Sequence, residues 1–383
     1  MIPGKRLTQF ELLRLIAMLM IVTMHYLSRA GEGWLLQLAG AMDAKTVTGT
    51  ILESACVIAV NVYLLISGYF MESTDFKVSR IFKLLLQIWF YALLIPLVLM
   101  IAGTPYGLWN TYQTQGIYGC LAYIFPVQTE HYWFATAYVA LSMVSPFLVI
   151  AVRNMTKKQM QVALTLLFTL FCLIKSISPL GFVFDRYGYD TGWFICMYLL
   201  GAYYRRYPFK LFAVWKKSFL IYLLCVLGNV GITLVSWLVY QQTGKFAYYF
   251  TVPYHYNFIL NVIGAVAFFA IFEKASWKAG RAAGFIAAAG SLSFGVYLFH
   301  EHIDLRDILY QTSLDWYGGM TQWGLGGELL HLLITVTVIF LTGLGIDFIR
   351  SRLFAGIGRR LQETRLVKRI HKWDFYFASN KEV

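Results

Sequence analysis

The residues whose types and spacing suit chemistry gather in one apolar stretch near the N-terminus, Glu11–Tyr26 (ELLRLIAMLMIVTMHY). It would pass for an ordinary membrane-spanning helix but for Glu11, Arg14 and His25. Arg14 and His25 stand eleven positions apart, about three helical turns, so they share nearly one face roughly 16 Å apart along the axis. Glu11 precedes Arg14 by three residues, where a carboxylate pairs with a guanidinium. Ionisable groups inside a span are costly and usually face a protein interior or a watery cavity. One reading has Arg14 snorkelling to one membrane surface and His25 resting in the opposite headgroup layer. The pair on one face, with Glu11 beside it, favours a working site.

Further polar residues approach the His25 end of the spans: Glu53, Glu130, His131, His255, His300, Glu301, His302 and Asp304. Histidine takes and returns a proton near neutral pH, which suits general-base work on a hydroxyl. A zinc site built on His300 and His302 is disfavoured, because an i, i+2 pair lies on different faces of a helix. The simpler expectation is that His302 and Asp304 cap the helix they follow, and that His255 and His331 are interfacial or satisfied by packing. At the other membrane surface Arg80 and Lys83 lie three residues apart on one face. They read either as a basic flank of a span or as a grip on the phosphates of a cytoplasmic donor. The chain has neither a glycine-rich phosphate cradle nor a Gly-x-Ser-x-Gly nucleophile elbow. Its five cysteines (Cys56, Cys120, Cys172, Cys196, Cys225) show no metal or paired spacing and read as small apolar packing residues.

These residues need a scaffold, and composition names it. The 383 residues are 59% hydrophobic and 13% charged, with a mean hydropathy of +0.61. Soluble domains carry about twice that charged fraction, so the chain is expected to be an all-α polytopic membrane protein. Apolar runs recur near 8–28, 50–70, 81–102, 132–152, 160–178, 191–205, 218–240, 255–273, 284–302 and 326–349, which predicts about ten transmembrane helices. A further run, Ile117–Val127, is too short to span and reads as re-entrant or interfacial. With the N-terminus inside, 25 of the 32 Lys and Arg fall on cytoplasmic segments. Six (Arg29, Lys45, Lys175, Arg186, Lys245, Arg306) fall outside, and Arg14 lies within the first span. That asymmetry places both termini in the cytoplasm. The net charge of +13 therefore does not point to nucleic acid. Glu11 and Arg14 break the apolar region that a secretory leader needs before Ser28-Arg29-Ala30. A single transmembrane domain is expected over 1–350. The tail 351–383 mixes basic residues with Leu353, Phe354, Ile370 and Trp373, as for a helix lying on anionic lipid. The connections Gly103–Tyr132 and Ser313–Gly326 are expected to form an outward-facing vestibule.

Taken in order, these segments resemble the acyltransferase 3 family of integral membrane acyltransferases. The likeness starts with Arg-(x)10-His, here Arg14 to His25, and continues with NVYLLISGYF (Asn61–Phe70), similar to the family's Ser-Gly-Tyr or Ser-Gly-Phe segment. Arg80-Ile81-Phe82-Lys83 resembles its Arg-x-x-Arg element, with lysine for the second arginine, which keeps charge but loses bidentate geometry. HYWFATAYVAL (His131–Leu141), MYLLGAYYRR (Met197–Arg206) and SLSFGVYLFH (Ser291–His300) are similar to its later segments. The resemblance implies a multi-pass protein of the bacterial plasma membrane. Its activity would be transfer of an acyl group, usually acetyl, from cytoplasmic acyl-CoA to a hydroxyl of an exported or surface polysaccharide or its lipid-linked precursor. It implies His25 as base, Arg14 (with Glu11) positioning the donor or stabilising negative charge, and Arg80 and Lys83 on CoA phosphates. Ser67, Gly68 and Tyr69 would line the passage; Trp133, Tyr297 and His300 would stand near the acceptor. No metal is expected, and the partners are acyl-CoA, the glycan acceptor and membrane lipid.

Two other function classes suit the same composition. One is a transporter or flippase of a lipid-linked sugar, against which stands the lack of internal symmetry or paired Gly/Pro-interrupted helices. The other is a non-catalytic sensor that binds acyl-CoA or lipid in the same pocket.

Overall fold

The computed structural model describes residues 7–30, 33–71, 76–179, 185–275, 280, 282–361 and 363–378. Of the basic residues assigned to the cytoplasmic side, Lys5, Arg6, Lys278, Arg281 and Lys381 lie outside the described residues. Among the described residues there is no strand. In chain order the helices are α1 (Thr8–Arg29), α2 (Ala44–Cys56), α3 (Ala59–Tyr69), α4 (Val78–Ile101), α5 (Leu108–Ile124), α6 (Trp133–Asn154), α7 (Lys157–Phe168) and α8 (Ile174–Ile177). They continue as α9 (Thr191–Arg206), α10 (Trp215–Thr243), α11 (Ala247–Thr251), α12 (Ile259–Lys274), α13 (Ala282–His300), α14 (Arg306–Tyr317), α15 (Leu325–Leu361) and α16 (Arg365–Ala378). A bilayer core offers backbone groups no partner, so helices that satisfy themselves are the available spanning form for such a sequence.

Nine helical segments among the described residues are long and apolar enough to cross a membrane. The sixth expected span, 191–205, is not among these nine; it is found as α9, but its 16 residues rise only about 24 Å. Instead of facing lipid, α9 is wrapped by α3, α6 and α7, with Trp193, Phe194, Cys196 and Met197 fully buried. The second span is broken into α2 and α3 around Val57 and Ile58. The fifth passes from α7 through a π-helical turn (Thr169–Leu173) into α8. The last runs on unbroken to Leu361, so 350 is no boundary of secondary structure. Ile117–Val127 belongs largely to α5, which is kinked at Gly116, where φ is 64°.

Helix α1 packs against α2, α3, α12, α13, α14 and α15, which makes it the axis of the bundle. The outer helices α4, α7, α10 and α15 carry the exposed apolar side chains, among them Leu97, Leu166, Leu227 and Leu341, as a lipid-facing surface requires. Inside, close approach replaces bulk. A Cβ on Gly68 would stand 2.0 Å from the Tyr198 carbonyl oxygen, and one on Gly201 would stand 2.6 Å from that of Leu65. Helices α3 and α9 therefore meet backbone to backbone. Buried Asn61 of α3 accepts from the Trp193 indole (2.9 Å) and donates to the Tyr256 carbonyl (2.7 Å). That fixes α9 and the turn before α12 on α3.

At the cytoplasmic surface Asp374 of α16 accepts from both the backbone N–H (2.9 Å) and the hydroxyl (2.6 Å) of Ser79, tying the tail to the start of α4. On the other side His302 and Asp304 do not cap α13, which ends at His300. Tyr123 of α5 donates to Asp304 (2.6 Å), and the His302 ring stacks on Tyr123 and edges against His131, 4.5 Å between ring centroids. The pair thus joins α5 to the chain after α13, a contact across 181 residues. His331 also has partners: the Tyr26 hydroxyl (2.5 Å) and the Ser313 carbonyl (3.2 Å). His255 lies against the Tyr187 ring.

Gly68→Ala is expected to lower stability by on the order of 2 kcal/mol, since a backbone carbonyl must give way, whereas Gly231→Ala on α10, with open space around it, should be neutral. Thermal unfolding of both in lipid nanodiscs checks the contrast. Burial and the nearby Arg306 charge depress His131, at the α5–α6 junction, to about 4. The unfolded chain binds that proton near pH 6.5 and the folded one only below about 4. Stability should thus fall as pH drops from 6.5 towards 4, and His131→Gln should flatten that slope in the same assay.

Candidate active site

On α1 the eleven-residue spacing brings Arg14 and His25 to the same side, each at its own cavity. Towards the cytoplasmic end Arg14 Nη1 donates to Glu11 Oε1 at 2.5 Å. Glu11 is buried against α13 at Gly290, where a Cβ would come within 2.6 Å of its Oε2. Only glycine leaves room for the carboxylate there. The Arg14 guanidinium faces a cavity of about 360 Å³ whose polar lining includes Ser67, Lys77, Arg80, Tyr138 and Ser142. Ser67 Oγ lies 3.2 Å from the Tyr138 hydroxyl. The lining thus combines cations (Arg14, Lys77, Arg80) with hydroxyls (Ser67, Tyr138, Ser142), as suits an anionic ligand with a polar arm.

At the other end, His25 Nδ1 lies 2.9 Å from His300 Nε2 and 3.2 Å from Glu301 Oε1. The tautomers follow from the partners. His300 Nδ1 lies 2.6 Å from the Val296 carbonyl; a carbonyl only accepts, so that nitrogen carries hydrogen and His300 Nε2 accepts. His25 Nδ1 therefore carries the hydrogen it shares with His300 and Glu301, and His25 Nε2 keeps its lone pair. Glu301 is held in turn by Arg29, whose Nη1 and Nη2 lie 2.6 and 3.4 Å from its two oxygens. An imidazole, an orienting carboxylate and a cation paired with that carboxylate form an arrangement suited to general-base catalysis.

His25 opens on a second, small cavity of about 20 Å³, lined also by Tyr63, Trp133, Phe134, Tyr256 and Tyr297. Two aromatic residues separate the cavities. Tyr63 donates to the Arg14 carbonyl at 2.7 Å while its ring lines the upper cavity. Phe134, also in the upper lining, stacks on Tyr138 of the lower one, 5.7 Å between centroids and 11° between planes.

Of the residues singled out in the sequence, His25, Trp133 and Tyr297 share the upper cavity, and His300 adjoins it through His25. Arg14, Ser67 and Arg80 share the lower one. Lys83 is exposed and outside its lining; the cation joining Arg80 there is Lys77. Gly68 lies in the α3–α9 seam, and Tyr69 donates to Glu273 (3.3 Å) beneath the Arg205 guanidinium, so neither faces the cavity. Sequence reasoning assigned no role to Glu301 or Arg29. The signals were Arg29 four residues after His25, on the same face, and a carboxylate next to His300. The donor atoms of His25, His300 and Glu301 lie within 4.8 Å of one another, close enough to hold a small ion. The Arg29 guanidinium on Glu301 opposes a cation at that point, and His302, the other partner considered for zinc, is turned to Tyr123.

A family model, Acyl_transf_3, described as an acyltransferase domain, matches residues 7–348. The chain belongs to this family. It is thus a membrane acyltransferase, and the match takes in every residue of both cavities. Neither the curated proteins nor the solved structures compared with the chain include a match.

For this acyltransferase, Glu301→Gln removes the charge that orients His25 while keeping shape, and is expected to lower kcat by about 10²–10⁴-fold. Steady-state kinetics on protein with a wild-type melting temperature checks this. Lys83→Ala should leave donor KM within about twofold, because its charge lies outside the cavity lining and is screened by solvent.

Proposed function

We propose that the protein is an O-acyltransferase of the bacterial plasma membrane, moving an acyl group, most simply acetyl, from cytoplasmic acyl-CoA to a hydroxyl of an exported polysaccharide or its lipid-linked precursor. The observation that carries the reading is the geometry of α1: one helix presents a cation to a basic cytoplasmic cavity and an oriented imidazole to a cavity at the opposite side. An anionic donor and an uncharged hydroxyl acceptor are the two substrates those ends suit.

In this reading Arg80 and Lys77 attract the CoA phosphates, and Arg14, held by Glu11, positions the donor at the cavity floor. About three turns separate Arg14 from His25, so the guanidinium serves binding and does not neutralise an oxyanion beside the imidazole. The pantetheine arm carries the thioester past Tyr63 and Phe134. His25 Nε2 then accepts the acceptor's hydroxyl proton, the oxygen attacks the thioester carbonyl, the C–S bond breaks, and the proton passes from His25 to the departing CoA sulfur. Glu301, itself held by Arg29, and His300 hold the imidazole in the required tautomer, and the Glu301 carboxylate offsets the charge the ring gains when it takes a proton. No sidedness of this kind is needed by a sensor.

CoA release from acetyl-CoA by the purified protein in lipid, wild type beside His25→Ala, tests the reading. Wild type is expected to release CoA and the folded variant at least about 10²-fold less. Failure of wild type to release CoA or to bind labelled acetyl-CoA, even with envelope glycan present, overturns the donor assignment.

A further inference from the structure

The upper cavity, at about 20 Å³, holds about one water molecule. It admits a hydroxyl to His25 and excludes the group that bears it, so the body of an acceptor must be bound at the cavity's outer rim. Trp133 is the element common to cavity and rim. It lines the cavity beside Tyr256, stacks on the Tyr256 ring (5.7 Å between centroids, 19° between planes) and meets Tyr189 at 4.4 Å. Tyr189 is 37% exposed and lies against Tyr256, 4.7 Å between centroids. Its backbone N–H is fixed to the Arg186 carbonyl (2.9 Å), and Asn61 holds the Tyr256 carbonyl, so the rings are mounted on anchored backbone.

On the neighbouring helix α2 stands Glu53, its last acidic residue before the break to α3. It lies within electrostatic range of Tyr189, Tyr254 and Tyr256. Its Oε2 is buried without a hydrogen-bond partner among the described residues. An acid placed inside a span with an unanswered oxygen is costly to keep and normally marks a site. A π-surface with an unpartnered carboxyl group within electrostatic range has the chemistry that recognises a polyhydroxylated ring: C–H faces lie on the aromatics, and a hydroxyl hydrogen-bonds to the carboxyl.

We propose that Trp133, Tyr189, Tyr256 and Glu53 form the acceptor subsite, holding a pyranose ring at the rim with Glu53 accepting from a hydroxyl other than the one presented to His25. This rests on the O-acyltransferase reading and adds to it a specificity-determining residue. A sugar lacking the hydroxyl that meets Glu53 leaves the carboxylate unanswered and is discriminated against.

The test uses the full-length protein in nanodiscs, labelled acetyl-CoA, and the methyl glycosides of the common hexoses as acceptor probes. Acetyl transfer and glycoside binding by saturation-transfer NMR are read for wild type, Glu53→Gln and Tyr189→Ala, the last at an exposed position chosen to spare folding. Both variants are expected to raise the glycoside KM about tenfold or more, as for loss of one hydrogen bond or ring contact, while the acetyl-CoA KM moves less than twofold. The same variants should lose the NMR binding signal. Wild-type glycoside KM and wild-type binding in both variants overturn the subsite. If wild type transfers acetyl to none of the glycosides and binds none, the sugar acceptor itself is overturned. If wild type binds glycosides in a manner that depends on Glu53 but releases no CoA, the subsite stands and the acyltransfer reading fails.

Discussion

The structure depends on the burial of charge along the seam between α1 and α13. A bare ion inside the bundle is far more expensive than one at a surface, so each charged group that α1 carries inward must meet its counterpart where it lies. Glu11 answers Arg14 within the helix, and Gly290 of α13 makes room for the pair. Three turns on, His300 and Glu301 at the end of α13 answer His25 and Arg29. The seam is closed by packing and neutralised by pairing, and the same contacts that stabilise it orient the imidazole. Under the proposed mechanism stability and catalytic readiness rest on one set of interactions, so changes to Glu301 or Gly290 would act on both.

A membrane enzyme that joins substrates from opposite sides must present two chemistries without opening a leak. The two cavities meet that constraint with an aromatic partition in which Tyr63 and Phe134 each have a surface towards one side and an attachment towards the other. Tyr63 touches both elements of the site at once: its hydroxyl is on the Arg14 carbonyl and its ring is beside His25. A side chain moving there opens the path for a slender arm while excluding anything bulkier. In the proposed reaction the large donor stays on its own side, and only the thioester need travel.

The buried helix α9 and the broken span α2–α3 are scaffold for these cavities. Short and fully enclosed, α9 fixes α3 through the glycine-to-backbone contacts at Gly68 and Gly201 and through Trp193 on Asn61. In the NVYLLISGYF segment Asn61 and Gly68 hold helices together, while Ile66, Ser67 and Phe70 reach the lower cavity. Motif membership and direct contact with substrate are different properties of a residue.

The sequence alone determined what local periodicity and solvent preference determine. Apolar run length gave the spans, because a helix must cover the hydrocarbon thickness and satisfy its own backbone. Helical arithmetic placed Arg14 and His25 on one side, because 3.6 residues per turn is independent of the rest of the fold. Glu11 beside Arg14 was legible for the same reason. Tertiary structure decided whatever joins residues far apart in the chain. Glu301 lies 272 positions from the Arg29 it binds, and neither residue shows locally that the two will meet at His25. It also separated Arg80, on the lower cavity, from Lys83, three residues away and exposed, and put Lys77 in its place. Which side of a helix faces a cavity is set by the neighbouring helices; the helix itself fixes only which residues share that side.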